Sequence, residues 1–249
     1  MLEIKGLCKR FGAVGAVVDV SLELLAGRVY GLVGPNGSGK TTVLNLISGF
    51  YQPDCGQILL RNGGCLRRID RLPVAARARL GLGRMFQEPR GIAQFTAMEN
   101  VLLCTLPTGS DNLLAGGLRP FALGQKRDRV ARLLSSGGLT SSANCRSADL
   151  SYGERRILDY LCLIALGSHL VLLDEPFAGA DPSTRQTLTA MIRDQVRRGD
   201  TTVLLVSHDI PAVMEIADEL ILMDGGRIIM QGLPVTVTQS EEYKEAYLR

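Results

Sequence analysis

The chain has 249 residues, 46% of them hydrophobic, and 28 Lys and Arg against 25 Asp and Glu leave a formal net charge of +3. That length suits one large domain or a core carrying a subdomain, and a balanced charge without an aromatic-rich basic stripe argues against nucleic acid as a partner. Met1–Lys5 lacks the basic and apolar regions of a leader and no stretch approaches the roughly 18 apolar residues that span a bilayer, so a soluble chain is expected, with any membrane role supplied by a partner.

The six cysteines, Cys8, Cys55, Cys65, Cys104, Cys145 and Cys162, show no Cys-x-x-Cys spacing, and His169 and His208 are the histidines that could join them on zinc. Reduced thiols of a cytosolic protein are expected.

Leu2 to Lys5 and Val17 to Leu24 alternate like half-buried antiparallel strands joined around Phe11-Gly12. The apolar run Val29 to Val33 reads as a buried strand. It feeds Gly34-Pro35-Asn36-Gly37-Ser38-Gly39-Lys40-Thr41, a complete G-x-x-x-x-G-K-[ST] loop, and a helix from Thr41 to Ser48 that stops at Gly49. Such a loop presents backbone N–H donors and the positive end of a helix dipole to a polyphosphate. Lys40 adds a charge at the β- and γ-phosphates, Thr41 a hydroxyl for Mg²⁺, and Gly34, Gly37 and Gly39 allow close approach.

From Glu88 to Gly167 the pattern changes to helices, Met98–Cys104 and Lys126–Ser136, between Gly- and Ser-rich stretches. An inserted helical subdomain is expected, with poorly ordered loops at Thr108–Asp111 and Ser135–Ala143. Leu150-Ser151-Tyr152-Gly153-Glu154 carries a Ser-x-x-Glu capping box ahead of the apolar helix Arg155–Leu166, and a serine cap with a glycine N–H is also an anion site.

The strand Leu170 to Leu173 delivers Asp174-Glu175 at its C-terminal end, where ligands bind in open α/β sheets. Asp174 is placed to hold Mg²⁺ through water, and Glu175 to act as general base on an attacking water. Asp181-Pro182 opens a helix that Gly199 closes, Thr202 to Val206 is a second buried strand, and Asp224-Gly225-Gly226 turns Glu219–Met223 back on Arg227–Met230. Thr236 to Arg249 reads as a charged amphipathic helix with Tyr243 and Tyr247 at i, i+4.

In this order, Gly34–Thr41, Gln87 in Phe86-Gln87-Glu88-Pro89, Leu150–Glu154, Asp174-Glu175, Ala178-Gly179-Ala180-Asp181 and Ser207-His208 resemble the Walker A, Q-loop, signature, Walker B, D-loop and H-loop motifs of an ABC transporter ATPase subunit. The resemblance covers essentially the whole chain. It implies an α/β P-loop NTPase core with a mixed sheet, an antiparallel β-subdomain and an inserted α-helical subdomain. The core would take in about 1–87 and 168–233, the helical subdomain about 88–167 and a C-terminal helix about 234–249.

It also implies a head-to-tail dimer with a second ATPase subunit, the same or different, that sandwiches two ATP molecules with Mg²⁺. Gly34, Pro35, Asn36, Gly37, Ser38, Gly39, Lys40, Thr41 and Thr42 would bind the nucleotide, and Phe11 would stack on adenine. Thr41, Gln87 and Asp174 would serve the metal, with Gln87 relaying nucleotide state to a membrane subunit. Glu175, His208 and Gln87 would be catalytic. Ser151, Tyr152, Gly153 and Glu154 would face the ATP bound by the opposite subunit, and Asp181 belongs to the D-loop. Tyr152 stands where most signatures carry glycine and Glu154 where glutamine is commoner; neither removes the serine or the Gly153 N–H.

Leu-Ser-Tyr-Gly-Glu with Arg155-Arg156, the extended segment Leu106–Ala122 and the ending Glu241–Arg249 resemble the branched-chain amino acid and amide (urea) uptake group. Such a subunit sits peripherally on the cytoplasmic face of the inner membrane, against permease subunits and, through them, a solute-binding protein. Asp174–Gly179 also resembles the lipopolysaccharide-export ATPase. A soluble ABC ATPase on nucleic acid or ribosomes is disfavoured by the single cassette without heptads, and a regulatory module that hydrolyses little by the intact Glu175 and His208.

Overall fold

The structure, a computed structural model, describes residues 1–106, 120–199 and 201–248. The predicted loop Thr108–Asp111 and the body of the segment Leu106–Ala122 lie outside them. Contacts divide the chain into two units, one of Met1–Gln87, His169–Ala178 and Arg193–Arg249, the other of Glu88–Ser168 and Gly179–Ile192.

In the first unit, β1 (Leu2–Phe11) and β2 (Val14–Leu24) pair antiparallel, and β4 (Cys55–Asn62) and β5 (Cys65–Arg68) extend the sheet in the order β2-β1-β4-β5. Leu2, Ile4 and Leu7 of β1 and Val17, Val20, Leu22 and Leu24 of β2 face the core. Both strands run further than their alternation predicts. Gly6 and Asp19 each take φ +56°, and the register shifts between Ile4 and Leu7, so a bulge breaks the period of two while the strands continue.

The second sheet holds β3 (Val29–Val33), β6 (Leu82–Met85), β7 (Leu170–Asp174), β8 (Thr202–Val206), β9 (Glu219–Asp224) and β10 (Arg227–Gly232), ordered β10-β9-β3-β8-β7-β6. The pairing is parallel except at β10, which returns on β9 through Gly225-Gly226, at φ +51° and +79°. Every residue of β3, β7 and β8 is buried, which is why each reads as an unbroken apolar run.

β4, β5, β6 and the short helix α2 (Val74–Arg79) were not legible in the sequence. β5 is exposed throughout, α2 is too short to show a period, and β6, Leu-Gly-Arg-Met, interrupts its apolar run with an arginine.

α1 (Lys40–Ser48) follows the glycine-rich loop and ends at Gly49, whose left-handed φ of +89° lets its N–H bond Asn45 O at 3.0 Å. The carbonyls of its last turn find a partner in Arg77, which is fully buried. Nη1 donates to Leu46 O at 2.5 Å and Ile47 O at 2.8 Å, Nη2 to Asp70 O at 2.8 Å and Nε to Leu72 O at 2.9 Å. Burial pulls the guanidinium down to about 10, so it stays charged at neutral pH. Arg77→Met leaves these carbonyls without their donor, at about 1 kcal/mol each. We expect a loss of about 4 kcal/mol and a fall in Tm of about 8–16 °C in thermal unfolding; a change below about 1 kcal/mol would show that water replaces the donors.

The second unit contains α3 (Ala97–Cys104), α4 (Pro120–Ser136), α5 (Tyr152–Ala165) and the first part of α6 (Pro182–Arg197). The expectation of poor order at Ser135–Ala143 is corrected. Gly138 takes φ +73° after α4, Leu139 N donates to Leu134 O at 2.8 Å, and the Leu139 side chain is buried. A Schellman-type turn and its apolar contact anchor the segment.

The predicted terminal helix is two in the first unit, α8 (Pro234–Gln239) and α9 (Glu241–Leu248). Ser240 between them is extended and its Oγ accepts from Tyr243 N at 3.1 Å, a serine cap that the run of helix formers concealed.

Candidate active site

The parallel strands of the first unit end on one edge of their sheet. β3 runs into the loop Gly34–Gly39, β6 precedes Phe86-Gln87, β7 ends in Asp174 before Glu175, and β8 precedes Ser207-His208. The carboxyl edge of an open α/β sheet is where a ligand finds main-chain and side-chain groups together.

The loop owes its shape to glycine. A Cβ at Gly34 would lie 1.9 Å from Met223 O, and one at Gly39 2.3 Å from Ala16 O. Gly37, at φ +79°, has nothing within 4 Å and lies with Asn36 on the exposed side of the loop. Lys40 is 5% exposed, and its ammonium donates to Gly34 O at 2.9 Å, Pro35 O at 2.8 Å and Ser38 Oγ at 3.2 Å. Burial lowers its pKa, while Glu175 and Asp174 act in the opposite sense. A buried cation inside a turn at a helix N-terminus has the chemistry that suits a polyphosphate. Thr41 and Thr42 occupy the first turn of α1, Thr41 on its exposed side.

Asp174 is buried, and its Oδ2 accepts from Arg84 Nη2 at 2.9 Å. Glu175, at a left-handed φ of +49°, turns out of the sheet. Its Oε2 accepts from Ser207 Oγ at 3.0 Å and from His208 N at 3.3 Å, and His208 Nε2 lies 3.5 Å from Oε1. A non-glycine residue in that region costs about 1–3 kcal/mol and persists where the surroundings over-determine it. His208 does not cap the following helix α7 (Ile210–Ile216), a role taken by Asp209 through Ala212 N at 3.1 Å.

The Thr41 hydroxyl, the Gln87 amide and one carboxylate, Asp174, make an all-oxygen donor set. That fits Mg²⁺, which binds through one or two carboxylates plus substrate phosphates. Among the described residues no group of three or more His, Cys, Asp or Glu gathers to hold an ion by itself.

Phe11 is exposed at the end of β1 rather than in the core. Its ring meets Tyr51 edge-on with centroids 5.2 Å apart, and Lys9 Nζ lies 5.7 Å from its centroid. Tyr51 carries no motif that sequence reading could have used. Nor did the sequence show that Tyr247 OH accepts from Gly34 N at 2.9 Å, a contact bringing α9 onto the loop; burial pushes that phenol up to about 12.

In the second unit, the predicted capping box at α5 is present. Glu154 N donates to Ser151 Oγ at 3.2 Å, Ser151 N donates to Glu154 Oε2 at 2.9 Å, and Ser142 Oγ donates to Glu154 Oε1 at 2.6 Å. A Cβ at Gly153 would lie 2.3 Å from Thr184 Oγ1 and 3.2 Å from Asp181 Oδ2, so glycine is required there. The Tyr152 ring lies over Gly179, whose Cβ would stand 3.3 Å from Cε1. Asp181 accepts from Thr184 Oγ1 at 2.6 Å, from Ser183 Oγ at 2.7 Å, and from Thr184 N and Ser183 N at 3.1 and 2.9 Å; these bonds hold its carboxyl well below the usual range.

Ser151→Ala is expected to cost about 1 kcal/mol through the lost cap, a fall of about 2–4 °C in Tm. ATP turnover should fall by at least tenfold, more than that destabilisation explains. Melting curves and turnover rates on one preparation separate the two, and unchanged turnover would confine Ser151 to capping.

The family model described as ABC transporter matches residues 17–178, well over half of the chain. The chain belongs to the ABC transporter family. It is 35% identical to the high-affinity branched-chain amino acid transport ATP-binding protein LivG of Salmonella typhimurium, over 100% of this chain and 97% of LivG. It is 34% identical to the lipopolysaccharide export system ATP-binding protein LptB of Acidithiobacillus ferridurans, over 100% of this chain and 96% of LptB. A crystal structure of a nucleotide-free ATP-binding cassette from an ABC transporter superposes with a TM-score of 0.82 at 25% identity, covering 99% of this chain and 98% of the other. The cassette thus has the fold expected of it, a P-loop ATPase with a mixed sheet and an antiparallel sheet, and it is a nucleotide-binding subunit. Among the described residues no helix is long and apolar enough to cross a membrane.

Proposed function

We propose that this cassette binds and hydrolyses Mg-ATP to power an importer of branched-chain amino acids or related amides such as urea. The observation that carries the chemistry is the convergence of the Lys40 loop, Gln87, Asp174, Glu175 and His208 on one sheet edge. Full-length similarity to LivG supports the direction and the substrate class.

In this reading Gly34–Thr42 and Lys40 hold the phosphates, Phe11 stacks on adenine, and Thr41, Gln87 and Asp174 hold Mg²⁺. The metal, when bound, neutralises charge on the transferring phosphoryl group. Glu175 accepts a proton from the attacking water, and its position is set by Ser207 and the His208 N–H. The His208 imidazole, 53% exposed, is the group aimed at the γ-phosphate. Ser151 and Gly153 complete the site of a second cassette, so nucleotide binding closes a head-to-tail dimer and hydrolysis opens it. The dimer works peripherally at the cytoplasmic face of the inner membrane with permease subunits and, through them, a solute-binding protein.

Lipopolysaccharide export is the second reading, supported by the likeness to LptB. Co-purification from the native membrane, with ATPase activity measured on the same sample, tests both. Two multispanning permeases with a second cassette and a solute-binding protein are expected; a lipid-export scaffold in their place would move the assignment to export.

A further inference from the structure

Arg84 lies in β6 opposite Leu172, two residues before the carboxylate that ends β7. Its side chain is 6% exposed and that of Asp174 11%, so this ion pair lies almost wholly out of water. Burying a charge pair is costly unless the remaining hydrogen-bonding positions are filled and the geometry is good. Here Nη2 donates to Asp174 Oδ2 at 2.9 Å, while Nη1 donates to Asn45 Oδ1 at 2.6 Å and Ser48 Oγ at 2.8 Å, both in the last turn of α1. Two aromatic faces cover the guanidinium carbon, Phe86 at 4.7 Å and Phe50 at 5.5 Å from their centroids, and the rings meet edge-on. Phe86 is the residue directly before Gln87.

One planar cation thus holds three things at once: the carboxylate on the metal side of the site, the far end of the loop-bearing helix, and the root of the segment carrying Gln87. Lysine offers a point charge without the fork or the flat face needed for that set of partners. With Oδ2 committed to Arg84, the second oxygen of Asp174 is oriented, and the cation beside it tempers the negative potential of the adjacent Asp174-Glu175 pair.

Resting on the reading of this edge as an Mg-nucleotide site, we propose that Arg84 is a positioning residue for the divalent cation: it orients Asp174 and, through Phe86, the start of the Gln87 segment. It touches neither nucleotide nor metal. Its loss is therefore felt in metal dependence rather than in metal-free nucleotide affinity, which belongs to the Lys40 loop.

The test uses the full chain and a fluorescent ATP analogue, titrated in EDTA and then over a series of Mg²⁺ concentrations, for wild type, Arg84→Gln and Arg84→Lys. In EDTA, Arg84→Gln is expected to bind within about twofold of wild type. Its half-saturating Mg²⁺ should rise at least about tenfold, a loss of about 1.4 kcal/mol in metal coupling. Arg84→Lys should fall between the two. Half-saturation within twofold of wild type overturns the proposal, as does an equal loss of affinity in EDTA and in Mg²⁺. Asn45→Ala removes one Nη1 acceptor and leaves the ion pair in place, so it keeps the test open if Arg84→Gln does not fold. About a threefold rise is expected for it, and no rise in both Asn45→Ala and Arg84→Lys overturns the proposal. If the wild-type chain itself binds no analogue in either medium, the nucleotide-site reading has failed instead.

Discussion

Glu175→Gln is expected to abolish turnover while leaving ATP binding intact, with kcat reduced by about 10²–10⁴, the usual worth of a positioned general base. The geometry says why the protein tolerates the change. A glutamine carbonyl can take the place of Oε2, accepting from Ser207 Oγ and His208 N, and its NH₂ then faces His208 Nε2 where Oε1 stood 3.5 Å away. The left-handed backbone at this position and the bond from Glu175 N to Val206 O at 2.9 Å do not depend on the side-chain charge. What is lost is the proton acceptor. Gel filtration with Mg-ATP should show an accumulated dimer, because closure no longer leads to hydrolysis. Turnover within threefold of wild type would remove Glu175 from the role of base and leave the loop assignment standing.

Lys40→Ala should instead strike binding. The Lys40 ammonium is buried among Gly34 O, Pro35 O and Ser38 Oγ, inside the glycine-rich loop, and charge-assisted bonds to phosphate are among the stronger polar contacts. Loss of that charge is expected to weaken ATP at least about a hundredfold, some 2.7 kcal/mol. Calorimetric titration measures it directly. In the unliganded fold Gly34 O, Pro35 O and Ser38 Oγ lose their donor, but removing a buried charged amine offsets part of that cost, so a loss of about 1–2 kcal/mol and a fall in Tm of about 2–8 °C are expected. ATP affinity within threefold of wild type would take the phosphates away from this loop.

The two variants dissect one edge into a part that holds phosphate and a part that handles the proton. Arg84 adds a third, concerned with the metal.

The sequence by itself determined the elements whose chemistry is local. The loop Gly34–Thr41, the cap at Ser151 and Glu154, the start of α6 at Asp181-Pro182 and the apolar strands β3, β7 and β8 were all legible, because each follows from backbone conformation or burial within a few neighbouring residues. The tertiary structure decided what lies across strands. Arg84 reads in sequence as an interruption of a weak strand. Only the parallel register of β6 on β7 and the packing of α1 turn it into the partner of Asp174, Asn45 and Ser48. The same holds for Arg77 on the last carbonyls of α1, for Tyr51 on Phe11, and for Tyr247, which reaches Gly34 from the far end of the chain. The bulge at Gly6 and Asp19 and the break at Ser240 lay hidden for a related reason. A period of two or of 3.6 describes one regular element, whereas a bulge or a serine cap is favoured by pairing and packing that the local pattern does not contain.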